Sequence, residues 1–334
     1  MTNVGSLATK PLFGLPLAEL WFGLLFFIFG MFLFLDGFDF GVGVLFATRD
    51  NDHEREQLLA AVEPFWDGNE VWLVVFGGVL FAAFPSVYAN LFSRYYLLMF
   101  AILAALGLRG LAPEMYEERE DDQWRQLWGY SFIVGSTVTP FLLGLFVMNW
   151  LVGASGLITP VSILGGVAVL ALTVVDGAAF LGLKTRGTLR DDARRYGVQA
   201  AVSYLGVTGL TVGTVYVTEP SLRVSFQSPI VVALVILTVT VTGIYILALQ
   251  RRRYYTAFTA TAALVFGLVG LVSILMFPFV DRTAGLTIHE TIISTLPLNL
   301  MSIMASVLIP IVLGYFVVLY SAFSGPIEAE ETYE

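Results

Sequence analysis

The sequence predicts an all-α polytopic membrane protein, and three observations carry that prediction. Of 334 residues, 57% are hydrophobic and only 13% are charged, against roughly 25% charge in a soluble domain. Mean hydropathy is +0.82. Apolar runs of about 18 residues or more recur from end to end, each long enough to cross the ~30 Å hydrocarbon core as a helix. The runs are continuously apolar rather than alternating, which argues against a transmembrane β-barrel.

Read in order, the runs give about nine transmembrane helices. The first, Trp21–Phe46, follows a segment, Met1–Leu17, that lacks the short apolar core of a cleavable signal peptide, and it closes before Arg49 and Arg55. The second, Val71–Tyr88, follows the acidic stretch Glu63–Glu70, and the third, Tyr95–Leu111, lies between Arg94 and the Pro113-Glu114 pair. Beyond the acidic run Glu114–Asp122 come the fourth, Leu127–Trp150, and the fifth, Val161–Leu183, which ends at Lys184. The basic stretch 184–195 introduces the sixth, Tyr196–Val217. Arg251–Arg253 separate the seventh, Ile230–Leu249, from the eighth, Tyr254–Phe277, and the ninth, Leu298–Phe323, precedes an acidic tail, Glu328–Glu334.

Basic residues set the expected orientation. Nine spans divide the 17 Lys and Arg into 13 on one face and four (Lys10, Arg94, Arg223 and Arg282) on the other. The positive-inside rule then places the N-terminus outside and the C-terminus in the cytoplasm. A weak internal repeat adds an architecture: Asp36-Gly-Phe-Asp-Phe40 resembles Asp176-Gly-Ala-Ala-Phe180, four spans later and running the same way. Two four-helix bundles plus a peripheral helix fit that spacing. The chain divides accordingly into an outer segment (1–18), a first bundle (19–155), a second bundle (156–280), an outer loop with the ninth helix (281–323) and a cytoplasmic tail (324–334).

Several function classes are excluded early. With no cysteine there is no disulfide framework, iron–sulfur cluster or thiolate-held metal. A formal charge of −9, concentrated in the loop and tail, disfavours nucleic acid. A transmembrane haem needs axial ligands inside the bundle, whereas His53 falls in an inner loop and His289 in an outer one. Met31, Met99, Met148 and Met304 read as packing. No metal or catalytic cofactor site is expected on this chain.

The residues that carry chemistry are carboxylates. Asp36, Asp39 and Asp176 lie well inside predicted spans, where a carboxylate costs several kcal/mol unless it faces protein or water. Counting back from Phe46 at ~1.5 Å per residue puts Asp36 about 15 Å and Asp39 about 10 Å from the inner membrane edge, on one helix face. Arg109 is read as ending the third span and snorkelling to the headgroups, so no Lys or Arg within a span is expected to pair with them. Glu63, Asp67 and Glu70 follow i, i+4, i+7 spacing at the start of the second helix. Asp67 and Glu70 suit proton uptake or, equally, the positive end of a helix dipole, and Glu63 with Pro64 suits capping alone. Trp21, Trp128 and Trp150 near span ends read as interfacial anchors. The glycines at 37, 41 and 43 read as close helix contact.

Three stretches are recognisable together. Asp36-Gly-Phe-Asp-Phe-Gly-Val-Gly43, Trp66-Asp-Gly-Asn-Glu-Val-Trp-Leu73 and Gly77-Gly-Val-Leu-Phe-Ala-Ala-Phe-Pro85 resemble subunit II of the cytochrome bd-type quinol oxidases. Asp176-Gly-Ala, Met276-Phe-Pro-Phe279 and Leu298-Asn299 continue the resemblance in order, over residues 20 to 323. It implies a haem-free subunit of a respiratory enzyme that reduces oxygen to water with electrons from a membrane quinol. A subunit I would carry the haems, b and d or b-type only, in a pseudosymmetric heterodimer that a small single-span subunit often joins, in the plasma membrane of a prokaryote. It further implies a cytoplasmic proton path through Asp67 and Asp36, with Asp39 and Glu70 beside it, and lateral oxygen access at Trp72. Asp176 would be a second-bundle site. The rival reading is a proton- or cation-coupled secondary transporter, which would act without a haem-bearing partner; a blander one is a scaffold that only supports such a partner.

Overall fold

The computed structural model describes residues 7–327. The acidic residues Glu328–Glu334 and the first six residues of the outer segment lie outside the described residues. Eleven principal helices follow one another: α1 (Leu17–Phe46), α2 (Asp52–Val62), α3 (Trp66–Ala83), α4 (Pro85–Arg94), α5 (Tyr96–Glu117), α6 (Asp122–Val152), α7 (Pro160–Lys184), α8 (Gly187–Thr218), α9 (Pro229–Gln250), α10 (Tyr254–Met276) and α11 (Thr295–Ala322). Between α10 and α11, β1 (Phe279–Asp281) and β2 (Leu286–Thr287) pair as a small antiparallel hairpin.

Eight helices among the described residues, α1 and α5 to α11, are long and apolar enough to cross a membrane. The difference from nine falls at the second expected span. Pro85 cannot continue a helix from Phe84, whose φ/ψ of −130/59° breaks the chain, so Val71–Tyr88 is divided between α3 and α4. The start of α3 is also later than the acidic spacing suggested. Glu63, Pro64 and Phe65 form a turn after α2, and Pro64 is not a first helical residue.

Packing centres on α1, which contacts α3, α6, α7 and α10. Around it, α5 lies on α6, α6 on α7, α8 and α10 on α7, and α9 on α8 and α10. Only 6% of the apolar window of α11 is buried, so that helix is peripheral to this chain. The α1–α7 crossing depends on two glycines: a Cβ on Gly41 would run into the Thr173 carbonyl, and one on Gly177 into the backbone of Gly41. Close backbone approach of this kind is how helices associate in lipid, where no hydrophobic force drives them together. The two halves of the weak repeat meet here, with Phe38 stacked on Phe180 at 4.0 Å between ring centroids.

Two tryptophans expected at the interface are instead in the core. Trp21 and Trp150 are buried, donating through Nε1 to Ser302 Oγ (2.9 Å) and to the Val280 carbonyl (2.6 Å). Phe26 stacks on Trp150 at 5.6 Å. An indole on a span end is amphipathic, and here its polar handle finds a partner inside the protein. Trp128 remains partly exposed.

The end that carries the β1–β2 hairpin is fastened by polar contacts. Asn299 accepts from the Leu12 N–H and donates to the Leu7 and Lys10 carbonyls, tying the N-terminal segment to α11. Hydrogen bonds from the backbone N–H and hydroxyl of Thr287 hold the Glu290 carboxyl below its ordinary value. Asp281 is fully buried and accepts from Arg94 at 3.1 and 3.4 Å and from the Ala284 N–H at 3.2 Å. Asp281→Ala leaves that guanidinium and that N–H without their acceptor. It is expected to cost about 2–4 kcal/mol, seen as a lower thermal inactivation temperature and new proteolytic cleavage within 277–290.

Candidate functional site

The carboxylates of α1 and α3 converge on one cation, Arg109, which sequence alone places at a helix end. Arg109 does not end its helix. α5 runs on through Pro113 to Glu117, which draws Arg109 two turns back from the end, and its side chain is only 2% exposed. Arg109 Nη2 lies 2.7 Å from Asp36 Oδ1 and 3.3 Å from Asp39 Oδ2, and Nη1 lies 3.5 Å from Glu70 Oε2. The snorkelling assignment is therefore corrected, and so is the expectation that no basic residue within a span pairs with the aspartates. A guanidinium presents several donors in a fixed fork, which lets one side chain serve carboxylates on α1 and α3 together.

Local sequence explains the placement. Asp36 and Asp39 share one face of α1 by their i, i+3 spacing. Gly135 on α6 admits α5, since a Cβ there would fall within 2.6 Å of the Arg109 Cβ and 2.8 Å of the Ala105 carbonyl. Gly110 leaves room for Trp66 and Glu70, with the Trp66 ring 3.3 Å from where its Cβ would be. The guanidinium is sandwiched as well as paired, 5.1 Å from the Phe40 ring and 5.7 Å from the Trp66 ring.

A hydrogen-bonded chain extends the cluster toward α11. Asn69 Nδ2 donates to Asp39 Oδ2 at 2.9 Å and to the Leu35 carbonyl at 3.0 Å, and Asn69 Oδ1 accepts from Tyr320 Oη at 2.9 Å. Neither Asn69, within its motif, nor Tyr320 carries a role that the sequence alone assigns. The signal for Asn69 was its i, i+3 distance from Trp66 and Trp72 on the inner face of α3. Tyr320, on a helix with little contact to the rest, carried no local signal.

Exposure falls along the acidic series. Asp67 is exposed, the Glu70 side chain is 30% exposed, and Asp36 and Asp39 are sealed. Asp36 Oδ2 and Asp39 Oδ1 are buried without a hydrogen-bond partner among the described residues. Asp67 stands one helical turn before Glu70, outside the cluster itself. Glu63 is exposed in the turn before α3.

A different arrangement lies between α7 and α10. Asp176 on α7 accepts from Thr261 Oγ1 at 2.5 Å, and no basic side chain pairs with it among the described residues. Its other oxygen faces Gly37, whose Cβ would lie 3.4 Å away. The residue 140 positions after Arg109, the offset of the repeat, is the fully buried Leu249. The repeat thus keeps an acid and loses the cation.

Trp72 is buried against Phe316, with ring centroids 5.7 Å apart. It lines an apolar cleft of about 370 Å³ between α1, α3 and α11, together with Val75, Val79, Met304 and Leu308. The cleft is almost wholly hydrocarbon-walled, a space suited to an apolar molecule.

The chain as a whole matches a known family. The family model described as cytochrome bd terminal oxidase subunit II matches residues 17–323. The chain is 33% identical to cytochrome bd ubiquinol oxidase subunit 2 of Bacillus subtilis (strain 168), covering 94% of this chain and 98% of that one. It is 31% identical to cytochrome bd-I ubiquinol oxidase subunit 2 of Escherichia coli (strain K12), covering 90% and 92%. In fold, it matches a chain of the bd oxidase from Geobacillus thermodenitrificans with a TM-score of 0.77 at 16% identity, over 92% of this chain and 99% of that one. An all-helical membrane chain matched over nearly its whole length by one family model, and by relatives themselves covered over more than nine-tenths of their length, belongs to the cytochrome bd terminal oxidase subunit II family.

Proposed function

We propose that this chain is the haem-free subunit II of a membrane quinol:oxygen oxidoreductase, that it supports a haem-bearing subunit I, and that its first bundle supplies protons from the cytoplasm. The carrying observation is the cluster of buried Asp36, Asp39 and Arg109 with the half-buried Glu70. Three carboxylates face one guanidinium, so with every acid ionised the cluster is two charges short of neutral in a low-dielectric site. Sharing protons among the acids is the way such a site lowers that cost. The decline in exposure from Asp67 through Glu70 to Asp36 and Asp39 supplies a direction, inward from the arginine-rich end.

The fit to the chemistry is direct. Reducing one oxygen molecule to water consumes four protons, and drawing them from the cytoplasm while quinol releases its own outside charges the membrane without a pump. Each elementary charge moved stores ~2.3 kcal/mol per 100 mV. Haems, b and d or b-type only, belong to subunit I on this reading, and quinol is oxidised there. In this chain Asp36, Asp39 and Glu70 hold protons, Arg109 fixes their geometry, and Asn69 with Tyr320 orients Asp39. Asp176, paired with a hydroxyl and no cation, serves α7–α10 packing. The apolar cleft at Trp72 supports lateral oxygen access, since oxygen partitions into lipid. The inner end is the cytoplasmic one by the distribution of basic residues, which still holds twelve to four once Arg109 is moved inside its span, because α3 runs from Tyr320 near the end of α11 to Ile293 just before its start. The division into bundles 19–155 and 156–280 is kept as part of this reading, with α1, α3, α5 and α6 in one and α7 to α10 in the other, the two joined through the packing of α7 on α1 and α6.

The test is purification through a tag on this chain from its native membrane. A second large subunit, haem bands in the reduced-minus-oxidised spectrum and quinol-dependent oxygen uptake are expected together. A stable chain with no haem and no partner would contradict the assignment and turn attention to transport.

A further inference from the structure

At the arginine-rich end of the second bundle, a pocket of about 440 Å³ with mixed polar and apolar walls opens between the end of α7, the start of α8, the α9–α10 loop and the segment after α11. Arg190, Arg252 and Arg253 line it, with Tyr254 and Tyr255. We propose that this pocket binds the phosphate headgroup of an anionic phospholipid.

Charge is the first argument. The one carboxylate paired with these three arginines among the described residues is Asp191, 3.6 Å from Arg252 and shared with Arg194. Arg190 stacks on the Tyr254 ring at 4.8 Å, and its buried Nε has no hydrogen-bond partner among the described residues. Tyr254 is 9% exposed, and its hydroxyl is likewise buried and unpartnered. Arg253 precedes α10 without a side-chain cap, which leaves the first N–H groups of a 23-residue helix beside the guanidinium groups. Guanidinium forks and helix N-terminal amides both recognise phosphate oxygens. Backbone geometry adds to this: Arg252 holds φ at 56° after α9, a left-handed position that glycine fills at least cost.

Location selects a lipid over a free anion. The pocket sits at the ends of three helices long and apolar enough to cross a membrane, α7, α9 and α10. Tyr255 beside it is 72% exposed and Leu247, one turn earlier on α9, is 50% exposed, so an aromatic headgroup-level residue and an apolar outer face flank the phosphate position. Basic pockets at the ends of transmembrane helices are suited to anionic headgroups.

The test titrates the purified complex in detergent with phosphatidylglycerol, phosphatidylcholine and inorganic phosphate, and reads bound lipid by native mass spectrometry. Phosphatidylglycerol is expected to bind preferentially and to lose about fivefold in affinity for each arginine changed to glutamine. Arg252→Gln, at an exposed side chain, tests this without disturbing the Arg190–Tyr254 stack, and the triple variant Arg190→Gln/Arg252→Gln/Arg253→Gln tests the sum. Equal retention of phosphatidylglycerol and phosphatidylcholine, or unchanged phosphatidylglycerol binding in both variants, would overturn the proposal. So would inorganic phosphate displacing the lipid at comparable concentration, which would make the pocket a free-anion site.

Discussion

Arg109→Met is expected to destabilise the chain by about 3–5 kcal/mol, because it leaves acids on two helices buried without their common counter-ion. The loss should appear as a lower unfolding temperature and poor recovery of the purified complex. Restoring charge balance with Asp36→Asn and Asp39→Asn in the Arg109→Met background should recover much of the stability, since the penalty comes from the unpaired charges rather than from lost volume. Such a triple variant assembles but turns over poorly. Arg109→Lys should lie between, keeping the charge while losing the fork that reaches Asp36, Asp39 and Glu70 at once. A stable Arg109→Met single variant would contradict the cluster as described.

Asp67→Asn and Asp36→Asn should slow quinol-driven oxygen reduction on the order of 10²-fold, the contribution of a positioned proton-transfer group. Their cause differs, and so should their stability. Asp67 is exposed and one turn outside the cluster, so its variant should unfold like the parent. Asp36 accepts from Arg109 at 2.7 Å, so its variant should lose stability as well as rate. Haem spectra unchanged in both would separate slowed proton supply from failed assembly.

Much of this was legible in the sequence. Composition and apolar runs were enough for the all-helical membrane class, because lipid admits few alternatives. The motif around Asp36 and Asp39 and the one around Asp67 and Glu70 pointed to residues that the fold brings to one place, apart from Asp67 itself. Arg109 was misread for a physical reason: a proline four residues later suggests a helix end, yet α5 continues through Pro113 for a further turn and carries the arginine into the membrane. The α3–α4 break was signalled by Pro85 and was hidden by the hydrophobicity on either side. Tyr320 could not be found locally, since its role depends on α11 returning across 251 residues to Asn69. The cores of Trp21 and Trp150 were invisible for a similar reason, because an amphipathic ring near a span end suits either lipid headgroups or a buried acceptor.

The most direct measurement is proton uptake from the arginine-rich side during quinol oxidation, with the purified complex reconstituted in vesicles and Asp67→Asn compared with the parent. The account predicts rapid uptake from that side by the parent and uptake slowed in step with oxygen reduction in Asp67→Asn, at unchanged haem content. Full-rate uptake by Asp67→Asn, and by Asp36→Asn beside it, would contradict proton delivery through this subunit and leave the cluster as a structural ion network.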